Sequence, residues 1–149
     1  MLDLTPAWQH HHATINGIRM HYVEEGEGLP IILCHGFPHL WFSWHRQITA
    51  LAAAGYRVIA PDMRGMGQTE APAEIEAYDI DHITDDLLGL LDHIGEERAV
   101  FAGLDCGAFA IYDLALRPPA RVVAVIGMEN PAAPHNADEA PRTEYRRMG

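Results

Sequence analysis

Four short apolar runs constrain the fold more than any other feature of this sequence. They are PIILCHG (30–36), YRVIAPD (56–62), AVFAG (99–103) and RVVAVIGM (121–128). An apolar run of this length that ends in glycine or a polar residue is typical of a strand buried on both faces. The segments between the runs contain helical patterns, and strands alternating with helices predict a mostly parallel sheet covered on both faces. The chain is therefore predicted to be an α/β domain.

Three helices and one hairpin complete the predicted order of elements. Apolar periodicity and stop signals predict helices over 43–54, 80–94 and 106–116, closed by Gly55, by Gly95 and by the prolines at 118 and 119. The Asn16-Gly17 pair lies between two roughly alternating stretches, which indicates a hairpin with a tight turn. The hairpin precedes the parallel strands, so six strands are predicted in all.

Composition limits the kinds of partner that we expect the protein to bind and the cellular compartment in which we expect it. The 149 residues suit one domain, and the net charge of −11 argues against a nucleic acid or an anionic membrane surface as partner. Two cysteines, Cys34 and Cys106, are too few for a disulfide framework, and the first residues lack the pattern of a signal peptide. The apolar runs are far shorter than the roughly 20 residues that cross a bilayer. We therefore predict a cytoplasmic protein without membrane spans.

The segment GLDCG, residues 103–107, places an aspartate between two glycines where a predicted strand turns into a helix. A nucleophile elbow holds its central residue in a strained conformation, so the residues two places away must be small. The elbow also lies at a helix N-terminus, which favours negative charge. Asp105 is thus a candidate nucleophile, and the competing interpretation is that it only caps the helix.

A carboxylate nucleophile points to substrates other than those of a serine hydrolase. It can displace a leaving group from a saturated carbon, as in an epoxide or an alkyl halide, and form an ester. Hydrolysis of that ester then requires water, an oxyanion hole and a histidine base held by an acid. This chemistry requires no cofactor, and no motif indicates one.

The segment HGFP, residues 35–38, supplies a second part of the same machinery. A His-Gly-x-Pro sequence after a buried strand can turn the chain so that the N–H of Phe37 faces the pocket. Together with the N–H of Cys106 it would form a two-donor oxyanion hole. The Phe37-Pro38 bond is a candidate cis peptide.

Four segments together resemble the epoxide hydrolases of the α/β-hydrolase fold. They are HGFPHLWFSWHRQ, YRVIAPDMRGMGQTEAP, YDIDHITDDLLGLLDHIG and VFAGLDCGAFAIYDLALRPPARVVAVIGM. The resemblance runs from about residue 12 to about residue 131, the N-terminal part of such a catalytic domain. It implies Asp105 as nucleophile and the backbones of Phe37 and Cys106 as oxyanion donors. It implies a substrate pocket bordered by Phe37, Pro38, Trp41 and Cys106.

The resemblance also implies a biological role and a division of the chain. The substrates are a small epoxide and water, and the role is detoxification. Asp62 and Arg64 match a loop that is mainly structural in the family. Residues 1–128 would belong to the hydrolase core, and residues 129–149 would begin the linker to a cap domain.

Two departures from the family pattern keep other interpretations open. The family commonly has a tryptophan after the nucleophile, where this chain has Cys106. The family's cap tyrosines, base histidine and its acid partner match nothing before residue 149, although Glu129 is a candidate acid and Tyr145 lies where a cap would begin. The alternatives are a haloalkane or haloacetate dehalogenase with the same nucleophile, or an inactive fragment that acts only by association. An apolar sheet edge would then pair with a second copy or with a complementing C-terminal half, and the isolated chain would not turn over.

The remaining histidines favour structural or surface roles. The run at His10, His11 and His12 is interpreted as a polar edge strand, because a metal site requires ligands that converge in space. His21 is interpreted as a surface residue, while His35 and His39 have surface or structural roles near the oxyanion turn. No metal site is predicted.

Overall fold

The computed structural model describes residues 8–128, and in that range six strands and three α-helices alternate. The strands are β1 (Gln9–Ile15), β2 (Ile18–Glu25), β3 (Leu29–Cys34), β4 (Tyr56–Pro61), β5 (Ala99–Leu104) and β6 (Val122–Met128). The helices are α1 (His45–Ala53), α2 (Ile80–His93) and α3 (Cys106–Leu116), and short 3-10 turns lie at Trp41–Trp44, Ile75–Tyr78 and Pro119–Arg121. The predicted order of elements is confirmed.

The strands form one sheet in the order β1-β2-β4-β3-β5-β6. β1 and β2 are an antiparallel hairpin, β2 is antiparallel to β4, and the four strands from β4 to β6 in this order are parallel. After β3 the chain passes to β4 on one side, and later it returns to β5 on the other. Because ligands bind beyond the carboxyl ends of strands at such a switch point, the crevice between β3 and β5 is the expected site.

Helices cover both faces of the sheet, as predicted. Along β3, Ile31 and Leu33 face the side of α1, whereas Ile32 and Cys34 face the side of α2 and α3. This alternation follows from the two-residue period of a strand. Both sides are apolar because both are buried, which explains why β3 reads as a continuous apolar run.

The N-terminal hairpin turns at Asn16 and Gly17, with φ of 49° and 79°. Positive φ at both central residues is the geometry that the Asn-Gly pair predicts. β1 is the edge strand, and it carries the three consecutive histidines. The prediction for His21 was wrong, since this residue is 0% exposed. β2 lies between β1 and β4 in the sheet, so side chains from both neighbouring strands cover its alternate residues. The sequence does not reveal which strands these neighbours are.

The start of α1 also differs from the prediction. The chain forms a 3-10 turn at Trp41–Trp44 and becomes α-helical only at His45. Ser43, the predicted first residue, donates its hydroxyl hydrogen to the carbonyl of Leu40 at 2.6 Å and does not cap the helix. Burial of Trp41 and Trp44 in one cluster favours the tighter turn.

Across residues 8–128, no helix combines the length and apolar character needed to cross a membrane. Glu129, Tyr145 and the predicted linker 129–149 lie outside the described residues.

Candidate active site

Asp105 occupies the sharp turn between β5 and α3 with φ of 54° and ψ of −121°. This is a strained conformation for a residue with a side chain, and such strain costs about 1–3 kcal/mol. The flanking glycines permit it. A Cβ on Gly103 would lie 2.5 Å from the carbonyl oxygen of Gly107, and a Cβ on Gly107 would lie 2.3 Å from that of Cys34. The glycines on both sides therefore leave room for Asp105 in the conformation of a nucleophile elbow.

The carboxylate of Asp105 does not make the side-chain capping hydrogen bond that an N-cap residue usually makes to the second or third residue of its helix. Its Oδ1 instead accepts a hydrogen bond from the backbone N–H of Phe37 at 3.1 Å. Phe37 follows β3, the neighbouring parallel strand. The contact thus joins the carboxyl ends of the two strands at the switch point.

Hydrogen bonds keep Asp105 ionised. The thiol of Cys106, the backbone N–H of Cys106 and the backbone N–H of Phe37 all donate to the carboxylate and lower its pKa, and the nearby His39 lowers it further. In return, burial and then the hydrogen bond to Asp105 raise the pKa of the Cys106 thiol. At neutral pH the site therefore pairs a carboxylate with a protonated thiol.

Residues 36–39, which we call the oxyanion turn, carry the donor at Phe37. The N–H of His39 donates to the carbonyl of Gly36 at 2.9 Å, and the Phe37-Pro38 peptide bond is cis, as the sequence suggested. Gly36 allows close approach, since a Cβ there would lie 2.5 Å from the Cβ of Asp105. Both Phe37 and Pro38 are exposed, and the Phe37 side chain is 68% accessible.

The structure places Phe37 and Cys106 next to Asp105, whereas Trp41 lies deeper, and the predicted place of Pro38 at the substrate pocket stays a prediction. Trp41 is 9% exposed and belongs to the apolar cluster on the α1 side of the sheet. Its ring packs edge-on against Trp8 and His10. The predicted contact of Trp41 with substrate stays a prediction.

Asp62 and Arg64 anchor the loop after β4 from within the protein. Burial raises the pKa of the Asp62 carboxyl, but hydrogen bonds from His21, from the N–H of Gln68 and from the N–H of Trp41 outweigh it, so the pKa is lowered. Arg64 forms a bidentate pair with the buried Asp86 at 2.8 and 2.6 Å. These contacts agree with the structural role that the resemblance implies.

Sequence reasoning missed the partners of two buried histidines. His35 bonds to the backbone of Met63, which is 28 positions away, and His21 bonds to Asp62 across 41 positions. No local sequence pattern predicts such pairs, because β2, β3 and β4 come together only through the order of the strands in the sheet. The position of His35 in the HGFP segment was the one available signal.

A metal centre has no support in the described part of the chain. No group of three or more His, Cys, Asp or Glu side chains is arranged to hold a metal ion there.

Comparison with known proteins shows which family this chain resembles. The sequence profile described as alpha/beta hydrolase fold matches residues 30–147. Epoxide hydrolase A of Mycobacterium tuberculosis is 50% identical over 133 residues, covering 88% of this chain and 41% of that protein. Bifunctional epoxide hydrolase 2 of Sus scrofa is 46% identical over 125 residues, covering 84% of this chain and 22% of that protein.

A solved structure agrees with these sequence matches. The crystal structure of an epoxide hydrolase from Vigna radiata matches with a TM-score of 0.85 and 40% identity, covering 88% of this chain and 41% of that one. The chain spans less than half the length of these relatives. Because the family profile matches most of the chain and the fold matches a solved structure of the same kind, the chain belongs to the alpha/beta hydrolase fold family.

Proposed function

We propose that this chain carries the nucleophile and the oxyanion hole of an epoxide hydrolase. The observation that carries the proposal is the contact between Asp105 Oδ1 and the N–H of Phe37 at 3.1 Å, with Asp105 in the elbow conformation. The similarity to proteins named epoxide hydrolases supports the same activity. Hydrolysis of small reactive epoxides would be a detoxifying role, in keeping with the predicted cytoplasmic location.

In the first step, Oδ2 of Asp105 attacks a ring carbon of the epoxide. A C–O ester bond forms, the ring C–O bond breaks, and its electron pair stays on the epoxide oxygen, which takes a proton from an acid. The resemblance assigns that acid to cap tyrosines, and in the labelling experiment below solvent water supplies the proton. Ionisation of Asp105 makes the step possible at neutral pH, because the carboxylate requires no base. Oδ1, already held by the Phe37 N–H, becomes the carbonyl oxygen of the ester.

In the second step, water attacks the ester carbonyl carbon and loses its proton to a base. Negative charge develops on the carbonyl oxygen, where the N–H groups of Phe37 and Cys106 stabilise it. Collapse of this intermediate breaks the bond to the alkyl oxygen, which takes the proton of the new carboxyl group and leaves as part of a vicinal diol. The Asp105 carboxylate is thereby restored, and the proton held by the base returns to the acid of the first step. The resemblance assigns the base and its acid to positions beyond the described residues, so we expect the 149-residue chain to form the ester without multiple turnover.

A labelling experiment tests this function. The purified chain is incubated with styrene oxide, a reactive aryl epoxide, and analysed by intact mass and peptide mapping. We expect at most one stable adduct per chain, on Asp105, and none in Asp105→Asn, whose neutral amide cannot attack. An unlabelled Asp105 would contradict the nucleophile, and release of several diols per chain would contradict the single turnover. Preferential labelling by a matched alkyl chloride would favour a dehalogenase.

A further inference from the structure

The direction of the Phe37 N–H depends on the carbonyl of Gly36. Both groups belong to one planar trans peptide unit, in which C=O and N–H point in opposite directions. The Gly36 carbonyl accepts a hydrogen bond from the N–H of His39 at 2.9 Å and another from His35 Nδ1 at 2.8 Å. Fixing this carbonyl on one side therefore aims the Phe37 N–H at Asp105 on the other.

The tautomer of His35 follows from its second contact. The backbone N–H of Met63 donates to His35 Nε2 at 2.9 Å, and an amide N–H can only donate. Nε2 is thus unprotonated, and Nδ1 carries the hydrogen that bonds to Gly36. His35 is 1% exposed, and burial lowers its pKa, so the ring stays neutral in this tautomer at physiological pH.

The chain just beyond the other end of the oxyanion turn, at Trp41, is also held by the residues that follow β4. The N–H of Trp41 donates to Asp62 Oδ1 at 3.0 Å, while His21 Nδ1 lies 2.8 Å from Asp62 Oδ2. Residues 35 and 41 flank the oxyanion turn, and both bond to the two residues that follow β4. The turn is consequently clamped at both ends by hydrogen bonds that are shielded from water.

We propose that His35 is a positioning residue of the oxyanion hole, which holds the Gly36 carbonyl and thereby aims the Phe37 N–H at Asp105. Its consequence for the reaction rests on the proposed function. His35 itself is buried behind the turn, so it acts through Phe37.

Two variants separate the two hydrogen bonds of His35. In His35→Asn the side-chain nitrogen reaches the position of Nδ1, so the variant keeps the donor to Gly36 and loses the acceptor for Met63. In His35→Gln the side-chain oxygen reaches the position of Nε2, so the variant keeps the acceptor and loses the donor. The proposal requires the donor. His45→Gln is the matched control, because His45 Nδ1 also bonds to a backbone carbonyl, that of Phe42 at 2.9 Å, but on α1.

The first measurement is the amide proton shift of Phe37 in the full 149-residue chain. A hydrogen bond to a carboxylate moves this shift downfield. We expect His35→Gln to move it toward its value in Asp105→Asn, while His35→Asn and the control stay near the wild type. An unchanged Phe37 shift in a folded His35→Gln would overturn the proposal.

A measurement on the wild-type chain keeps the test independent of variant folding. The ring nitrogen shifts of His35 at neutral pH should show a protonated Nδ1 and an unprotonated Nε2, because burial lowers the pKa of this ring. An Nε2–H tautomer would overturn the proposal, since Nδ1 then has no hydrogen to donate to Gly36.

The catalytic consequence is measured on the ester. Hydroxylamine attacks the Asp105 ester carbonyl as an external nucleophile, through the same oxyanion, and releases the diol with a hydroxamate on Asp105. Loss of an oxyanion donor slows such steps by about 10²-fold, so a misdirected donor in His35→Gln should slow release about tenfold or more. Equal release rates in His35→Gln and His35→Asn would contradict the proposal. Failure of the wild type to form any ester would contradict the proposed function alone, because the Phe37 shift still reports positioning.

Discussion

At the scale of single residues, Asp105 and Cys106 change each other's chemistry. The thiol donates to the carboxylate and lowers the pKa of Asp105, while burial and Asp105 together raise the pKa of Cys106. Under the proposed function, this arrangement has a chemical advantage. A thiolate beside the pocket would itself be alkylated by the substrate, and keeping Cys106 protonated suppresses that side reaction.

Removing the charge of Asp105 should therefore make Cys106 more reactive. In Asp105→Asn the pKa of Cys106 falls, a larger fraction is thiolate at pH 8, and iodoacetamide should label it severalfold faster than in the wild type. Peptide mapping over time measures both rates. Cys34 serves as the internal control, because complete burial raises its pKa to about 12 and it should stay unlabelled until the chain unfolds.

The opposite result has a clear meaning. Slower or equal labelling of Cys106 in Asp105→Asn would show that burial alone sets its reactivity. Labelling of Cys34 at the same rate would show that the chain opens during the assay.

Some of these residues could be predicted from the sequence and others could not. Asp105, Phe37 and Cys106 lie in short segments whose geometry is local: a glycine on each side of the aspartate, and a proline after Phe37. The roles of His35 and His21 depend on Met63 and Asp62, which the sheet brings to them from distant positions. Their type is visible in the sequence, but the partner that fixes the tautomer is not.

At the scale of elements, the elbow depends on how closely α3 crosses the end of β3. A Cβ on Gly107 would lie 2.3 Å from the carbonyl oxygen of Cys34 and 2.8 Å from that of His35. Both atoms belong to backbone that is tied into the sheet and the oxyanion turn, so neither can withdraw without moving the site. The absence of a side chain at position 107 is thus a condition for bringing Phe37 to Asp105.

Gly107→Ala should lower the free energy of unfolding by about 3 kcal/mol, at the upper end of overpacking costs in a fixed environment. Urea denaturation followed by circular dichroism measures it. Gly55→Ala is the control: φ is +94° there and nothing lies within 4 Å of the added Cβ. It should cost only the conformational strain, about 1–2 kcal/mol. Equal losses in the two variants would mean that α3 can move away from β3.

The elements themselves were predicted best where one local rule determines them. Gly95, the Asn16-Gly17 turn and the run of buried strands gave bounds within one or two residues of the structure. The start of α1 was misplaced because burial of Trp41 and Trp44 selects a 3-10 turn, and burial is a property of the whole fold.

At the scale of the whole molecule, the sheet is covered unevenly along β6. Val125 pairs with Phe101 and packs toward α3, whereas Ile126 pairs with Ala102 and points to the opposite side. Within residues 8–128 no helix packs over Ile126, which is 51% exposed. The sequence predicted an apolar edge here, and the exposed position of Ile126 agrees with it.

An exposed apolar strand of this kind favours association between chains. We expect the 149-residue chain to self-associate with increasing concentration, and Ile126→Lys to shift it toward the monomer with a change in stability of less than about 0.5 kcal/mol. Sedimentation velocity across a range of concentrations, together with urea denaturation, measures both effects. Val125→Lys is the matched control: it places the charge against α3, so it should lower stability by about 1–3 kcal/mol. A wild-type chain that stays monomeric throughout this range would contradict the prediction.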